Sequence, residues 1–258
     1  MRSRVVPYSS AALDSLRDLV LPPTCSFCEV DLADEAETSL AARSRLCDCC
    51  RATILQQPVN RCPRCASAVA PTMVGPDCPW CRKQDLRFDR AFALATYRDE
   101  LRDAVIRLKH SGQEALSTAL AEMSWERNGA GVRGAAADIV VPVPMHWWRR
   151  LVQGHNGPDL AASFWAARLQ IVDYPRLLVR NRRTRPQAGL SPPERQANVH
   201  NAFSVRHGHN VRGARVLLVD DILTTGATCS EAARTLKRAG AASVAVVVVG
   251  RAQSETGK

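Results

Sequence analysis

Apolar residues along the last two-thirds of this chain recur with two different periods. Short unbroken apolar runs at Ala91–Tyr97, Ile139–Pro144, Leu177–Arg180, Val216–Val219 and Ser243–Val249 have the length and composition of buried strands. Between them the pattern is helical. Arg98–His110 places Leu101, Val105 and Leu108 on one face, with Ala104 and Ile106 alongside, and Ser111-Gly112 ends it. Further helices are expected from about Glu114 to Glu126, from Pro158-Asp159 to about Leu169, and from about Cys229 to Ala239, where Gly240 stops the last one. Asn128–Gly134 reads as a glycine-rich loop. Arg182–Asn198 has proline, glycine and arginine with little periodicity, and reads as a long mobile loop of the kind that serves as a lid. Near the start, Leu13–Leu21 reads as a short amphipathic helix closed by Pro22-Pro23. Strands alternating with helices predict an α/β fold: an open, mostly parallel sheet flanked by helices, with its site at the carboxyl ends of the strands.

Nine of the ten cysteines precede residue 82, and they form four C-x-x-C knuckles: Cys25/Cys28, Cys47/Cys50, Cys62/Cys65 and Cys78/Cys81. A knuckle puts two sulfurs on one side of a tight turn, as tetrahedral zinc requires. The spacings predict two structural Zn2+ sites of four cysteines each, paired in order, 25/28 with 47/50 and 62/65 with 78/81. Interleaved pairing is the alternative. Disulfides would need an oxidising compartment. Arg2, Arg4, Asp14, Arg17 and Asp18 interrupt the N-terminal apolar positions, so no secretory signal is expected and the chain is expected to be cytoplasmic. No run of about eighteen apolar residues exists, so no membrane span is expected. Cys49 is spare between two ligands, and Cys229 reads as a small packing residue.

At 258 residues the chain has room for one large or two modest domains, and 46% hydrophobic residues can fill a core. Its formal charge of +10 is concentrated. Ile139 to Arg215 carries Arg149, Arg150, Arg168, Arg176, Arg180, Arg182, Arg183, Arg185, Arg195, Arg206, Arg212 and Arg215 against only Asp159, Asp173 and Glu194. A polyanionic ligand or partner follows from that balance, with nucleic acid among the choices; free arginine usage without a partner is the bland alternative.

The most informative stretch is Val216–Thr228. An apolar strand leads into Asp220 and Asp221, then into Thr224-Thr225-Gly226-Ala227-Thr228, then into a helix. Backbone N–H groups at such a turn can cradle a phosphate, and paired carboxylates can hold sugar hydroxyls or a hydrated cation. This segment resembles the phosphoribosyl-pyrophosphate (PRPP) signature of the type I phosphoribosyltransferases. The resemblance implies that Asp220 and Asp221 take the ribose 2′- and 3′-hydroxyls and that Thr224, Thr225, Gly226, Ala227 and Thr228 take the 5′-phosphate, with Mg2+ accompanying PRPP. An ordinary strand-loop-helix junction is the plain alternative. Walker A and Rossmann glycine patterns are absent.

Taken with the four knuckles, Val141-Pro142-Val143-Pro144-Met145-His146, Gly154, Asn156, Thr184, Pro186-Gln187, Gly189-Leu190, Arg195 and Asn198-Val199, the chain resembles the ComF (competence protein F) family in its double-zinc-ribbon form. That resemblance implies a zinc-ribbon module with a leading helix over residues 1–85 and a phosphoribosyltransferase-like domain over 86–258. It implies a pyrophosphate loop at Met145–Asn156, with His146, Arg149 and Arg150 as its contacts. It implies a flexible loop at Arg182–Asn198, with Arg182, Arg183, Arg185 and Arg195 facing the leaving group. Where the family often has Arg-Gly-Phe-Asn-Gln, this chain has Gln153-Gly154-His155-Asn156-Gly157, so the positive charge at the first position and the amide at the last are lost. The family is associated with DNA uptake, so single-stranded DNA and the uptake machinery are implied partners. A metabolic transferase acting on a base or amine, and a non-catalytic PRPP sensor, remain the alternatives. No general base for a given nucleophile is visible, so the acceptor is unreadable.

Overall fold

The computed structural model describes residues 23–32, 45–55, 60–73, 78–108, 110, 112–144, 157–182, 184–185, 187 and 189–252. The predicted helix at Leu13–Leu21 and the loop 145–156 lie outside them. In chain order the elements are α1 (Asp48–Leu55), β1 (Arg90–Thr96), α2 (Asp99–Arg107), α3 (Glu114–Gly134), β2 (Ile139–Pro142), α4 (Gly157–Leu169), β3 (Val172–Asp173), β4 (Leu178–Arg180), α5 (Pro192–Val199), β5 (Phe203–Val205), β6 (Arg215–Leu223), α6 (Ala227–Arg238) and β7 (Ser243–Arg251).

Five strands form one sheet in the order β1-β7-β6-β2-β3, and every pair in it is parallel. β4 and β5 form a separate antiparallel ribbon. The apolar runs are continuous because both sheet faces are covered. Alternate residues sort cleanly between them. Val216, Leu218, Val244, Val246 and Val248 face α6 and the β4–β5 ribbon. Leu217, Val219, Ala245 and Val247 face α3 and α4, packing with Val132, Ala162 and Trp165. The two-residue period of a strand does this sorting.

The cysteine hairpins are built alike. Thr24 bridges Asp31 around the first knuckle, and Arg61 bridges Ala68 around the third. In both, the residue just after the second cysteine has positive φ (Glu29, 65°; Ala66, 57°) and its N–H bonds the carbonyl of the first, at 2.9 Å to Cys25 and 2.8 Å to Cys62. Each set is buried in a different part of the core. Cys25, Cys47 and Cys50 pack with α2, α3 and Leu94. Cys62, Cys65, Cys78 and Cys81 pack with Phe88, Leu223, Cys229 and the sheet.

Several expectations are corrected. Asn128–Gly134 is not a loop: α3 runs unbroken to Gly134. Its glycines mark close approach rather than a turn, since a Cβ on Gly131 would stand 2.7 Å from the Phe92 ring of β1 and one on Gly129 would stand 3.1 Å from Trp125. Arg182–Asn198 is not wholly loop either, because Pro192–Val199 is helical. Ser191 and Glu194 form a capping box there, with the Ser191 N–H and hydroxyl reaching Glu194 at 2.8 and 2.6 Å and proline opening the first turn. β6 continues past Val219 to Leu223, so the acidic pair belongs to the strand itself. α6 starts two residues earlier than expected, at Ala227.

Candidate functional site

β2 ends at Pro142, whose partner is Val219, while β6 and β7 continue together to Leu223 and Arg251. Asp220 and Asp221 therefore occupy the step where one neighbouring strand has stopped, at the carboxyl edge of the sheet. Both are half-buried. Asp220 accepts the Asp221 N–H (2.9 Å) through Oδ1 and the Cys229 thiol (3.5 Å) through Oδ2. Asp221 accepts the Ile222 N–H at 2.7 Å. Burial pushes the Asp220 carboxyl well above the usual carboxylate range, and the neighbouring Asp221 charge adds to the rise. Burial likewise pushes the Cys229 thiol up, so it is a packing thiol and not a reactive one.

Thr224–Gly226 makes the turn into α6. Gly226 is the N-cap, in the left-handed region at φ 81°. It has a second reason to be glycine: a Cβ there would lie 2.9 Å from Leu86 Cδ2. Ser230 N–H is the first to close a bond to Gly226 O, at 2.8 Å. The three amides before it, Ala227 to Cys229, have no place in the intrahelical ladder. Among the described residues only a 3.4 Å contact from Ala227 N–H to Thr225 Oγ1 competes for them. Those amides with the positive end of the helix dipole suit an anion. A cavity of about 250 Å³ opens beside the turn, lined by Thr225, Ala227, Arg234, Arg87, Gln196 and His200 among others.

The expected loop residues are partly placed. Arg182 spends its guanidinium on the last carbonyls of α5, at 3.3 Å to Ala197, 3.1 Å to Asn198 and 2.8 Å to His200. Arg195 bonds Leu190 O at 2.9 Å through Nε. Arg185 has an exposed side chain, and its backbone is clamped by Asn198, which accepts its N–H (3.0 Å) and donates to its carbonyl (2.9 Å). His146, Arg149, Arg150 and Arg183 lie outside the described residues. Gln187, with no role assigned to it from sequence, donates to the Thr228 hydroxyl at 2.7 Å. Its place in the Pro-Gln pair was the available signal.

Arg251 was also missed. It ends β7 fully buried, and donates from Nε to Cys65 O (2.9 Å) and from Nη1 to Leu223 O (2.7 Å), Thr224 O and Ala252 O. No sequence signal marks it, because it looks like one more arginine in a basic chain.

The two cysteine sets gather as four sulfurs each, all within 4.8 Å of one another. The grouping is the in-order one, 25/28/47/50 and 62/65/78/81. Sγ–Sγ separations of 3.6 Å (Cys28–Cys47), 3.5 Å (Cys65–Cys78), 3.7 Å (Cys78–Cys81) and 3.8 Å (Cys62–Cys81) fit the roughly 3.8 Å edge of a tetrahedron with ~2.3 Å Zn–S bonds. A disulfide would need ~2.05 Å. Burial alone would raise the Cys25 thiol, but N–H groups of Cys28, Cys47 and Phe27 outweigh it and lower the thiol to about 7. Cys65 is pushed up to about 11, chiefly by burial. Such closely packed sulfurs cannot all ionise unless a cation sits among them, so the donor set suits zinc.

Comparison with known proteins places the chain in a family. The model of the phosphoribosyl transferase domain matches residues 158–258. Competence protein F of Haemophilus influenzae is 29% identical over 219 residues, 82% of this chain and 92% of that protein. DNA utilization protein YhgH of Salmonella typhimurium is 30% identical over 233 residues, 88% of this chain and 96% of its own. Among solved structures, the glutamine PRPP amidotransferase from B. subtilis complexed with ADP and GMP is 28% identical over 43% of this chain and 22% of that one, with a TM-score of 0.30.

A parallel sheet with an acidic pair at its edge and a glycine-capped turn defines a protein of the phosphoribosyltransferase type. The chain belongs to the competence protein F family, to which the YhgH proteins are similar as well, and in this chain two four-cysteine clusters precede the sheet. No helix among the described residues is long and apolar enough to cross a membrane.

Proposed function

We propose that the chain binds PRPP with Mg2+ at the carboxyl edge of β6 and serves the handling of DNA. The observation that supports it most is the succession Asp220-Asp221, left-handed Gly226, α6 N-terminus, which sets two carboxylates and a run of spare amides on one edge. Asp220 and Asp221 take the ribose hydroxyls, and the amides of Thr224–Thr228 take the 5′-phosphate. Magnesium, when present with PRPP, neutralises the pyrophosphate and helps it leave. The protein's part is to orient the sugar and to keep negative charge close to C1, where positive charge develops in the transition state. His146, Arg149, Arg150, Arg183, Arg185 and Arg195 are the proposed contacts of the pyrophosphate.

The names borne by the relatives, competence and DNA utilization, support a DNA partner for this chain too. Arg176 and Arg206 are exposed where they flank one end of the β4–β5 ribbon. Single-stranded DNA on this face neutralises these charges and releases counterions. The proposed residue 1–85 module then serves as a zinc-held platform for the residue 86–258 domain.

Isothermal titration with PRPP and MgCl2 tests the sugar site: binding is expected for the native chain and none for Asp220→Asn with Asp221→Asn. Fluorescence anisotropy with a labelled single-stranded oligonucleotide tests the second part. Log affinity is expected to fall with log salt by about 0.7 for each phosphate contacted. A salt-independent signal, or no binding at low salt, defeats the DNA assignment and leaves the sugar site standing.

A further inference from the structure

We propose that Arg251 is a positioning residue through which the second cysteine cluster and the phosphate turn strengthen each other's ligands. The inference rests on reading the turn as a PRPP site. A fully buried guanidinium is costly unless its charge and donors are answered. Among the described residues Arg251 makes no ion pair, and its Nη2 has no hydrogen-bond partner. What answers it lies in two places. On one side are the carbonyl of Cys65, 2.9 Å from Nε, and the face of Trp80, whose ring centroid is 4.2 Å from the guanidinium carbon. Cys65 belongs to the four-sulfur set, and Trp80 sits inside the Cys78/Cys81 knuckle. On the other side are the carbonyls of Leu223 and Thr224, the two residues that launch the phosphate turn.

One side chain thus ties a metal knuckle to the phosphate turn. Four thiolates around one Zn2+ carry a net charge of −2, which supplies the counter-charge a buried guanidinium needs. With the metal absent, the knuckles lose the bonds that fix Cys65 and Trp80, and Arg251 loses its hold on one side. Two further contacts run the same way. Leu86, five residues past Cys81, packs under Gly226, and the Arg87 N–H reaches Ser230 Oγ at 3.3 Å. The first cluster sits in a different part of the core, with α2, α3, Leu94, Ala95 and Val249, so it is a built-in control.

Linkage requires the effect to be reciprocal: if metal at the second cluster strengthens PRPP binding, PRPP must strengthen metal binding there by the same factor, commonly about 5–150-fold. The test uses the full chain loaded with two zinc ions and follows zinc transfer to a chromogenic chelator with and without Mg2+–PRPP. PRPP is expected to slow release of one zinc by about tenfold or more and leave the other unchanged. In Cys28→Ser, which empties the first cluster, the protected zinc is expected to remain. Arg251→Met is expected to keep two zinc ions, lose the protection and weaken PRPP binding in calorimetry. Arg251→Lys, which keeps the charge without the fork, recovers part of both. Should Arg251→Met not fold, the native two-zinc comparison decides alone. PRPP binding with unchanged zinc release overturns the coupling and spares the site. No PRPP binding at all overturns both.

Discussion

Gln187 donates from Nε2 to the Thr228 hydroxyl across 2.7 Å, latching the segment before α5 onto the first turn of α6. The bond uses the acceptor side of the hydroxyl and leaves its proton free for a phosphate oxygen. Gln187→Ala removes the latch. A bond of this kind is worth about 0.5–1.5 kcal/mol, so PRPP affinity is expected to fall roughly 2–10-fold. Stopped-flow measurement should place the loss in a faster off-rate.

Gly226 is constrained twice, by its positive φ and by Leu86 beneath it. Gly226→Ala is expected to cost about 1–3 kcal/mol, read from urea melts. Adding Leu86→Ala relieves the contact but not the backbone strain. The double variant should therefore show less than additive loss of stability while PRPP binding stays impaired.

Asp220 is a carboxyl that the fold holds in an unfavourable place. Its folded pKa is raised by burial and by Asp221, so the folded state keeps its proton where the unfolded chain has released it. Its contribution to stability thus falls as pH rises from about 4 through the raised folded value. Asp220→Asn should flatten that slope and raise the Tm of the ligand-free chain at neutral pH. For a chain of this size each kcal/mol gained is worth about 2–4 °C. The same variant should lose PRPP binding, the exchange of stability for function seen when a site stores an unfavourable charge. Calorimetric melts from pH 4 to 8 check the sign; a lower Tm for the variant at pH 7 refutes it.

Metal removal should affect the two cysteine sets unequally. Elemental analysis is expected to give two zinc ions per chain. Cys65→Ser acts in the cluster whose four cysteines are all buried, whereas Cys28 is the exposed member of the other. Each variant is expected to hold one zinc, with the larger fall in Tm for Cys65→Ser. The apparent binding energy of a structural zinc, about 10–16 kcal/mol, is folding energy.

How much of this was legible follows from the range of the forces involved. Val216–Val219 and Ser243–Val249 announce buried strands because both faces of a parallel sheet need apolar cover. The knuckles announce metal because two sulfurs three residues apart can meet one ion. The Ser191-x-x-Glu194 box was also written in the chain, but the prolines beside it drew the reading toward a loop. α3 was cut short at Asn128 for a different reason. Its glycines carry low helix propensity, and the reason for Gly131 lies in the Phe92 ring, on a strand about forty residues earlier, which leaves no room for a Cβ there.

Local sequence determined the chemistry on offer here: two adjacent carboxylates, a small-residue turn, eight sulfurs in four pairs and a surplus of arginine. Only the tertiary structure decided their relations. Strand order let β6 run past β2 and left the half-buried acidic pair at a step in the sheet. The second four-cysteine hairpin came to lie against the Thr224–Gly226 turn, and one arginine out of many became buried between them. Propensity and periodicity act over a few residues. Which segments share a core is settled by long-range packing, and Arg251 meets Cys65 across 186 positions of chain.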